Sequence, residues 1–194
     1  MLVLASRSPV RLHLLRAADI AVEPVPSTID ERSVEEALGG ELAPTDLAEM
    51  LAETKAQEVS GRRPGDVVVG ADQVLSLDGA VLHKVEDMEG ARRRLLALQG
   101  RTHTLHTAFV MMRDGAALHR HSETADMTMR ALTPAEVGRA MARDEAALGS
   151  VGCYRLEGPG IRLFERIEGD HTAILGLPML PLLAALRRAG ALDE

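Results

Sequence analysis

The chain has 194 residues, 46% hydrophobic and 26% charged, with 22 basic against 29 acidic groups and a formal net charge of −7. That is enough apolar material to bury a core without disulfide or metal staples, so residues 1–194 are expected to form one domain, and disordered and collagenous chains are excluded. The net negative charge and the scarcity of aromatics, which are Phe109, Tyr154 and Phe164 alone, argue against a nucleic-acid polymer as partner, because a duplex needs a basic stripe and a single strand needs stacking faces.

Leu2 to Ala5 reads as a short apolar strand running into Ser6, Arg7, Ser8 and Pro9. Ser8 suits an N-cap and Pro9 the first helical position, after which Leu12, Leu15 and Ala18 recur at helical spacing. Residues 21–25 read as a second strand, and residues 27–44, with Gly39, Gly40 and Pro44, as a long loop carrying Asp30 and Glu31. Thr45 or Asp46 is expected to cap a helix whose apolar stripe holds Leu47, Leu51 and Val59, with Lys55 inside that stripe. An ammonium there must snorkel outward or reach a cleft that needs positive charge.

Val67 begins a β-branched strand through Gly70, Asp72 and Gln73 to Leu77, and Asp78-Gly79 predicts a tight hairpin returning Val81 and Leu82. Residues 89–98 are expected to be helical. Residues 101–112 and 117–129 read as paired strands around Asp114-Gly115, and Thr133-Pro134 starts a helix ending near Arg143. Residues 161–167 alternate like a strand, and Pro178 opens a final helix through Arg188. Interleaved helices and strands without a repeat predict an α/β chain with a mixed sheet. Cys153 cannot form an internal disulfide, no stretch approaches the roughly 18 apolar residues of a membrane span, and the N-terminus lacks the features of a signal peptide. A reducing cytoplasm and no membrane partner are therefore expected.

Four groups of residues have chemical potential. The Ser6 to Ser8 turn with Arg11 offers hydroxyls, free N–H groups and a forked cation, which suits a phosphate, although the same residues also make an ordinary helix cap. Asp72 sits inside an apolar strand, where an acid is rare unless it is functional or paired. Glu31 could serve the same hard cation or be a solvated loop acid. Lys55 and Lys84 are the only lysines among the basic residues, which marks them as places where a compact ammonium is required, or as survivors of a drift toward arginine. His103, His106, His119 and His121 invite a zinc reading, but His103 and His106 point to opposite faces of a strand, which spoils a shared site. Cys153 lacks an identifiable partner base and reads as a small buried residue. Arg92, Arg93 and Arg94 read as a solvated helix face.

Taken in order, LASRSPVRLHLL (4–15), IDE (29–31), LAETKA (51–56), GADQVLSLDG (70–79), the lysine of HKVED (83–87), GRTHTLHT (100–107), LEGPGIRLFERIEGD (156–170) and ILGLP (174–178) resemble the Maf family of nucleoside triphosphate pyrophosphatases across nearly the whole chain. The resemblance implies a two-lobed α/β fold related to the inosine triphosphatases, with a mixed, twisted central sheet flanked by helices, a cleft between lobes, and often a homodimer. It implies hydrolysis between the α and β phosphates of a nucleoside triphosphate, with Mg²⁺ or Mn²⁺ as cofactor. Carried over by position, Asp72 is the catalytic aspartate and a metal ligand with Glu31, while Ser6, Ser8, Arg11, Lys55 and Lys84 hold the triphosphate. Gln73 and Glu157 resemble the branch acting on 7-methyl-GTP, whereas the pyrimidine branch has threonine and glutamine there. Val10 stands where these branches carry tryptophan or arginine, and His83 and Val85 replace the glycine and proline that usually flank the lysine. A dTTP, UTP or broad-specificity pyrophosphatase, and a non-catalytic nucleotide sensor that restrains cell division, are the alternatives.

Overall fold

The computed structural model describes residues 1–37 and 42–192. Gly39 and Gly40, part of the expected long loop, lie outside the described residues. The strands are β1 (Leu2–Leu4), β2 (Glu23–Pro24), β3 (Val67–Leu77), β4 (Ala80–Leu82), β5 (Thr102–Arg113), β6 (Ala116–Met129) and β7 (Phe164–Glu168). The helices are α1 (Pro9–Ala17), α2 (Glu31–Ala37), α3 (Pro44–Arg62), α4 (Met88–Leu98), α5 (Pro134–Arg143), α6 (His171–Ile174) and α7 (Met179–Arg188). Seven strands form one sheet in the order β2-β1-β3-β5-β6-β7, with β4 also on β3. The sheet is mixed: β1 runs parallel to β2 and β3, and all other pairs are antiparallel. Among the described residues, no helix is long and apolar enough to cross a membrane.

Both hairpins follow from their turn residues. Asp78 and Gly79 have φ of 53° and 80°, and Asp114 and Gly115 have 50° and 76°. Two successive left-handed residues match the twist of the flanking strands, and Asp-Gly adopts them at least cost. Ser8 caps α1 by accepting from the Arg11 N–H, and Thr133 with Glu136 forms a reciprocal capping box on α5.

Other expectations are corrected. The supposed loop over 27–44 contains α2, whose single central apolar residue, Val34, gives too little stripe to be read from sequence. α3 starts at Pro44 behind Ala43 with no side-chain cap, and Thr45 instead hydrogen-bonds His106 Nδ1 at 2.8 Å. The second strand is only two residues long. Residues Pro159–Leu163 are a 3-10 turn, so the strand expected at 161–167 begins at Phe164. Arg94 is not a solvated residue, because its guanidinium donates to the Val151 and His83 carbonyls at 2.6 and 2.7 Å.

The long strands β3, β5 and β6 run through two core regions. At one end α3 packs on one face through Leu47, Leu51, Ala52 and Ala56 against Val74, Ala108 and Val110, while α1 and α7 cover the other through Leu15, Leu182 and Leu186 against Val69 and Phe109. At the other end α4 and α5 enclose Leu75, Leu95, Leu105, Met127 and Tyr154. Each fully buried leucine contributes roughly 2 kcal/mol of apolar transfer free energy. The two lobes thus share a sheet, and the helices above it leave the space between them open.

In the second lobe His103 Nε2 lies 2.7 Å from the Tyr154 hydroxyl, and its ring packs beside the Tyr154–Phe164 edge-to-face pair. Burial, with Arg94 nearby adding to it against the opposing Asp126, pushes the His103 pKa down to about 4. A depressed histidine pKa means that the unfolded chain takes up the proton first, so stability is full above the unfolded value of about 6.5 and is lost as pH falls toward 4. Thermal or urea unfolding should therefore show a loss on the order of 3 kcal/mol from this residue between those pH values. His103→Gln, which keeps a partner for Tyr154, should flatten that part of the profile, and an unchanged profile would remove His103 as its source.

Candidate active-site cleft

The opening between the lobes begins at a gap in the sheet. Along one edge of β3, β1 pairs with Val67 to Val69 and β4 with Leu75 to Leu77. Residues 70–74 of β3 pair with β5 on the opposite edge and with no described strand on this one. Because β2 lies on one side of β1 and β3 on the other, the chain leaves β1 in one direction and returns in the other, a topological switch point where open α/β sheets place ligands. A cleft of about 750 Å³ opens there. Its lining includes Ser6, Ser8, Val10, Arg11, Glu31, Lys55, Asp72, Gln73, Lys84 and Glu157, so the residues that the family resemblance assigned to catalysis, metal, phosphate and base all reach one space.

Gly70 explains how the charged centre forms. A methyl group on it would sit 2.2 Å from the Ala52 carbonyl oxygen and 2.6 Å from the Ala56 nitrogen of α3, so only glycine allows α3 to approach β3 this closely. Lys55, one residue before Ala56, is thereby held over Asp72, two residues after Gly70 on the same face of β3. Lys55 and Asp72 are 8% and 7% exposed. The ammonium donates to Asp72 Oδ1 and also forms an ion pair with Glu31 Oε1 at 2.6 Å. Burial pulls the Glu31 carboxyl up, but Lys55 first, then Lys84 and Arg11, outweigh it and hold the group below the usual carboxylate range.

The phosphate-type turn takes a form the sequence did not show. Ser6 Oγ accepts from the Ser8 N–H and from Arg11 Nη1, both at 3.2 Å, and Ser8 Oγ accepts from the Arg11 N–H at 3.3 Å. With acceptor bonds filled inside the turn, both hydroxyl hydrogens remain for a ligand. Arg11 is a strut as much as a free cation. Its Nε donates to the Gly176 carbonyl at 2.7 Å and Nη1 to the Ala71 carbonyl at 2.9 Å, the latter on the unpaired edge of β3. Burial lowers its pKa, opposed by Asp72 and Glu31.

Lys84 and Glu157 are exposed in the lining of the cleft, and neither has a hydrogen-bond or ion-pair partner among the described residues. Lys84 is brought near Glu31 by two pairs between α2 and the segment after β4, His83 to Glu35 at 3.3 Å and Arg32 to Glu86 at 3.6 Å. Glu157 follows a wall of residues 149–156 that sequence reasoning missed, fixed by Arg155 in a two-pronged bond to Asp144 at 2.9 and 2.6 Å. The only signal for it was a buried acid, Asp144, beside a 3-10 turn. Phe109 and Tyr154 are buried, and Phe164 packs on Tyr154 and His103, so no aromatic ring is free to stack a base.

The histidines do not form a metal centre. His103 is bonded to Tyr154, and His106 lies between Thr45 and Ser76 hydroxyls on the α3 side. Among the described residues, no group of three or more histidine, cysteine or acidic side chains could hold a metal ion. The Cys153 thiol is pushed up by burial, in keeping with a small buried residue. The convergence of Asp72 and Glu31 on one ammonium does fit a hard divalent cation of the kind held by two carboxylates and completed by substrate phosphates.

A family model described as "Maf-like protein" matches residues 1–189. A protein of Mesorhizobium japonicum named "7-methyl-GTP pyrophosphatase" is 56% identical over 194 residues, covering 99% of this chain and 98% of its own. One of the same name from Brucella abortus is 52% identical with the same coverage. A protein of Granulibacter bethesdensis named "Nucleoside triphosphate pyrophosphatase" is 47% identical over 98% of both chains.

Proposed function

Since this chain belongs to the Maf family, we propose that its cleft hydrolyses a nucleoside triphosphate between the α and β phosphates, and that 7-methyl-GTP is its preferred substrate. The observation that carries this reading is the Lys55 ammonium held between Asp72 and Glu31 beside a turn of free hydroxyls. Two carboxylates face three cations, Arg11, Lys55 and Lys84, so the centre carries a small net positive charge against a triphosphate of about −4, and a divalent cation would narrow the difference.

In this reading Ser6, Ser8, Lys84 and the remaining donor of Arg11 orient the polyphosphate. Asp72 takes the proton of the attacking water, whose oxygen bonds to the α phosphorus as the bond to the bridging oxygen breaks and pyrophosphate leaves with the electron pair. Lys55 holds the Asp72 carboxylate in place through its hydrogen bond, and its charge offsets that on the departing pyrophosphate. Mg²⁺ or Mn²⁺ held by Asp72 and Glu31 would supply further charge neutralisation at the phosphates.

For the base, Glu157 can accept from guanine N1–H and N2–H₂ together and balance the positive methylated ring. Val10 supplies only an aliphatic contact, which leaves selection to polar edges. Incubating the purified protein and Mg²⁺ with 7-methyl-GTP, UTP, dTTP and the common nucleotides should release pyrophosphate and a monophosphate fastest from 7-methyl-GTP. EDTA should abolish release, and added Mg²⁺ or Mn²⁺ should restore it. Preference for UTP or dTTP would overturn the base assignment, and tight binding without turnover would replace the enzyme with a nucleotide sensor.

A further inference from the structure

Gln73 and Thr107 are register partners on β3 and β5, on the face opposite the Asp72 centre. Thr107 is 1% exposed, and its hydroxyl lies 2.9 Å from the Ala173 carbonyl of α6, to which it must donate because a carbonyl only accepts. Having spent its one hydrogen, the hydroxyl can only accept from Gln73 Nε2, 2.8 Å away. The same nitrogen is 3.1 Å from the carbonyls of both Ala173 and Ile174. Three acceptors therefore surround the amide nitrogen. Turning the amide over would set its oxygen against two carbonyls and a hydroxyl with no hydrogen to give.

We infer that Thr107 is a positioning residue that locks the Gln73 amide with its oxygen toward the cleft, so that Gln73 and Glu157 together present only hydrogen-bond acceptors to the base. An acceptor-only pair selects a base edge with adjacent N–H donors and rejects one that presents carbonyl oxygens. The inference rests on the reading of the cleft as a nucleotide site. Thr107 reaches no ligand itself, and without a β5 hydroxyl at this register Gln73 would lose the nearest of its three acceptors and be held by the two longer bonds to the Ala173 and Ile174 carbonyls alone.

The test compares Thr107→Val, which keeps the shape, with Thr107→Ser, which keeps the hydroxyl. Thr107→Val should raise KM for 7-methyl-GTP about tenfold while kcat stays within about threefold, because the Asp72 centre lies on the other face of β3. Its preference for 7-methyl-GTP over UTP should fall by a similar factor, and Thr107→Ser should stay within about twofold of the parent protein. An unchanged KM in Thr107→Val, or a serine variant as impaired as the valine one, would overturn the role of the hydroxyl. Hydrogen exchange of the Gln73 side-chain amide, followed by NMR on the unliganded protein, gives a readout independent of activity. Exchange should be slow in the parent and about tenfold faster in Thr107→Val, and equal rates would overturn the lock. If the parent hydrolysed no nucleotide, the proposed function would fail, while this exchange measurement would still decide the orientation.

Discussion

Asp72→Asn is expected to lower pyrophosphate release by about three orders of magnitude, within the range typical of removing a general base. Asparagine has nearly the same shape and can still accept a hydrogen bond from Lys55, so the packing of α3 on β3 through Gly70 should survive. Lys55 also retains Glu31 as an ionic partner. What disappears is the negative charge and the site for the water proton. The thermal midpoint should move by only a few degrees while the rate collapses, a combination that separates a chemical role from a structural one. Near-native pyrophosphate release by this variant would sink the assignment of Asp72 as the base.

Lys55→Met should fail differently, in both activity and stability. Methionine fills the same volume but leaves Asp72 buried and turned toward Glu31 with no intervening cation. Removing one partner of a buried ion pair costs about 3 kcal/mol or more, because the remaining charge is unsolvated and unpaired. The pH dependence follows from sign. Burial raises the Glu31 carboxyl and Lys55 is the foremost of the charges that pull it back down, so without Lys55 the folded variant binds a proton at Glu31 more readily than the parent protein does. Its stability deficit should therefore be largest near pH 8 and shrink toward pH 5. Urea unfolding at the two pH values measures this, and a deficit that does not change with pH would mean that Lys55 is not the counter-charge of Glu31. Activity at neutral pH should fall at least a hundredfold.

The two variants bear on one arrangement of which only the components were legible in the chain. Asp72 stood out because an acid interrupts an apolar strand, and Lys55 because an ammonium falls within the apolar stripe of a helix. The glycine that joins them was visible as a strand glycine, but its reason, the closeness of the Ala52 carbonyl, belongs to the packing of α3 on β3. Arg11 shows the limit from the other side. A cation at a helix start was expected to serve a phosphate, yet two of its three nitrogens bond to carbonyls of Ala71 and Gly176, the second 165 residues away. α2 was unreadable for want of an apolar stripe, and its contribution to the site, Glu31, becomes apparent only when Lys55 lies beside it.

By itself the sequence determined whatever depends on a few neighbouring residues: the Ser8 and Thr133 caps, the two Asp-Gly hairpins, the β-branched apolar run of β3, and the residue types that could bear charge in a cleft. These rest on local torsional preference and on the periodicity of burial, both of which act over a turn or a strand. Tertiary structure alone decided that β1 and β4 stop short along β3 and leave residues 70–74 as the cleft floor. It also decided that Asp72 faces Lys55 on one side of that floor, and that Gln73 is held by Thr107 and by carbonyls 100 and 101 residues away on the other. Strand order and helix approach are set by the summed packing of distant segments, and a hydrogen-bond direction such as that of Gln73 is fixed only when every acceptor around it has been brought into place.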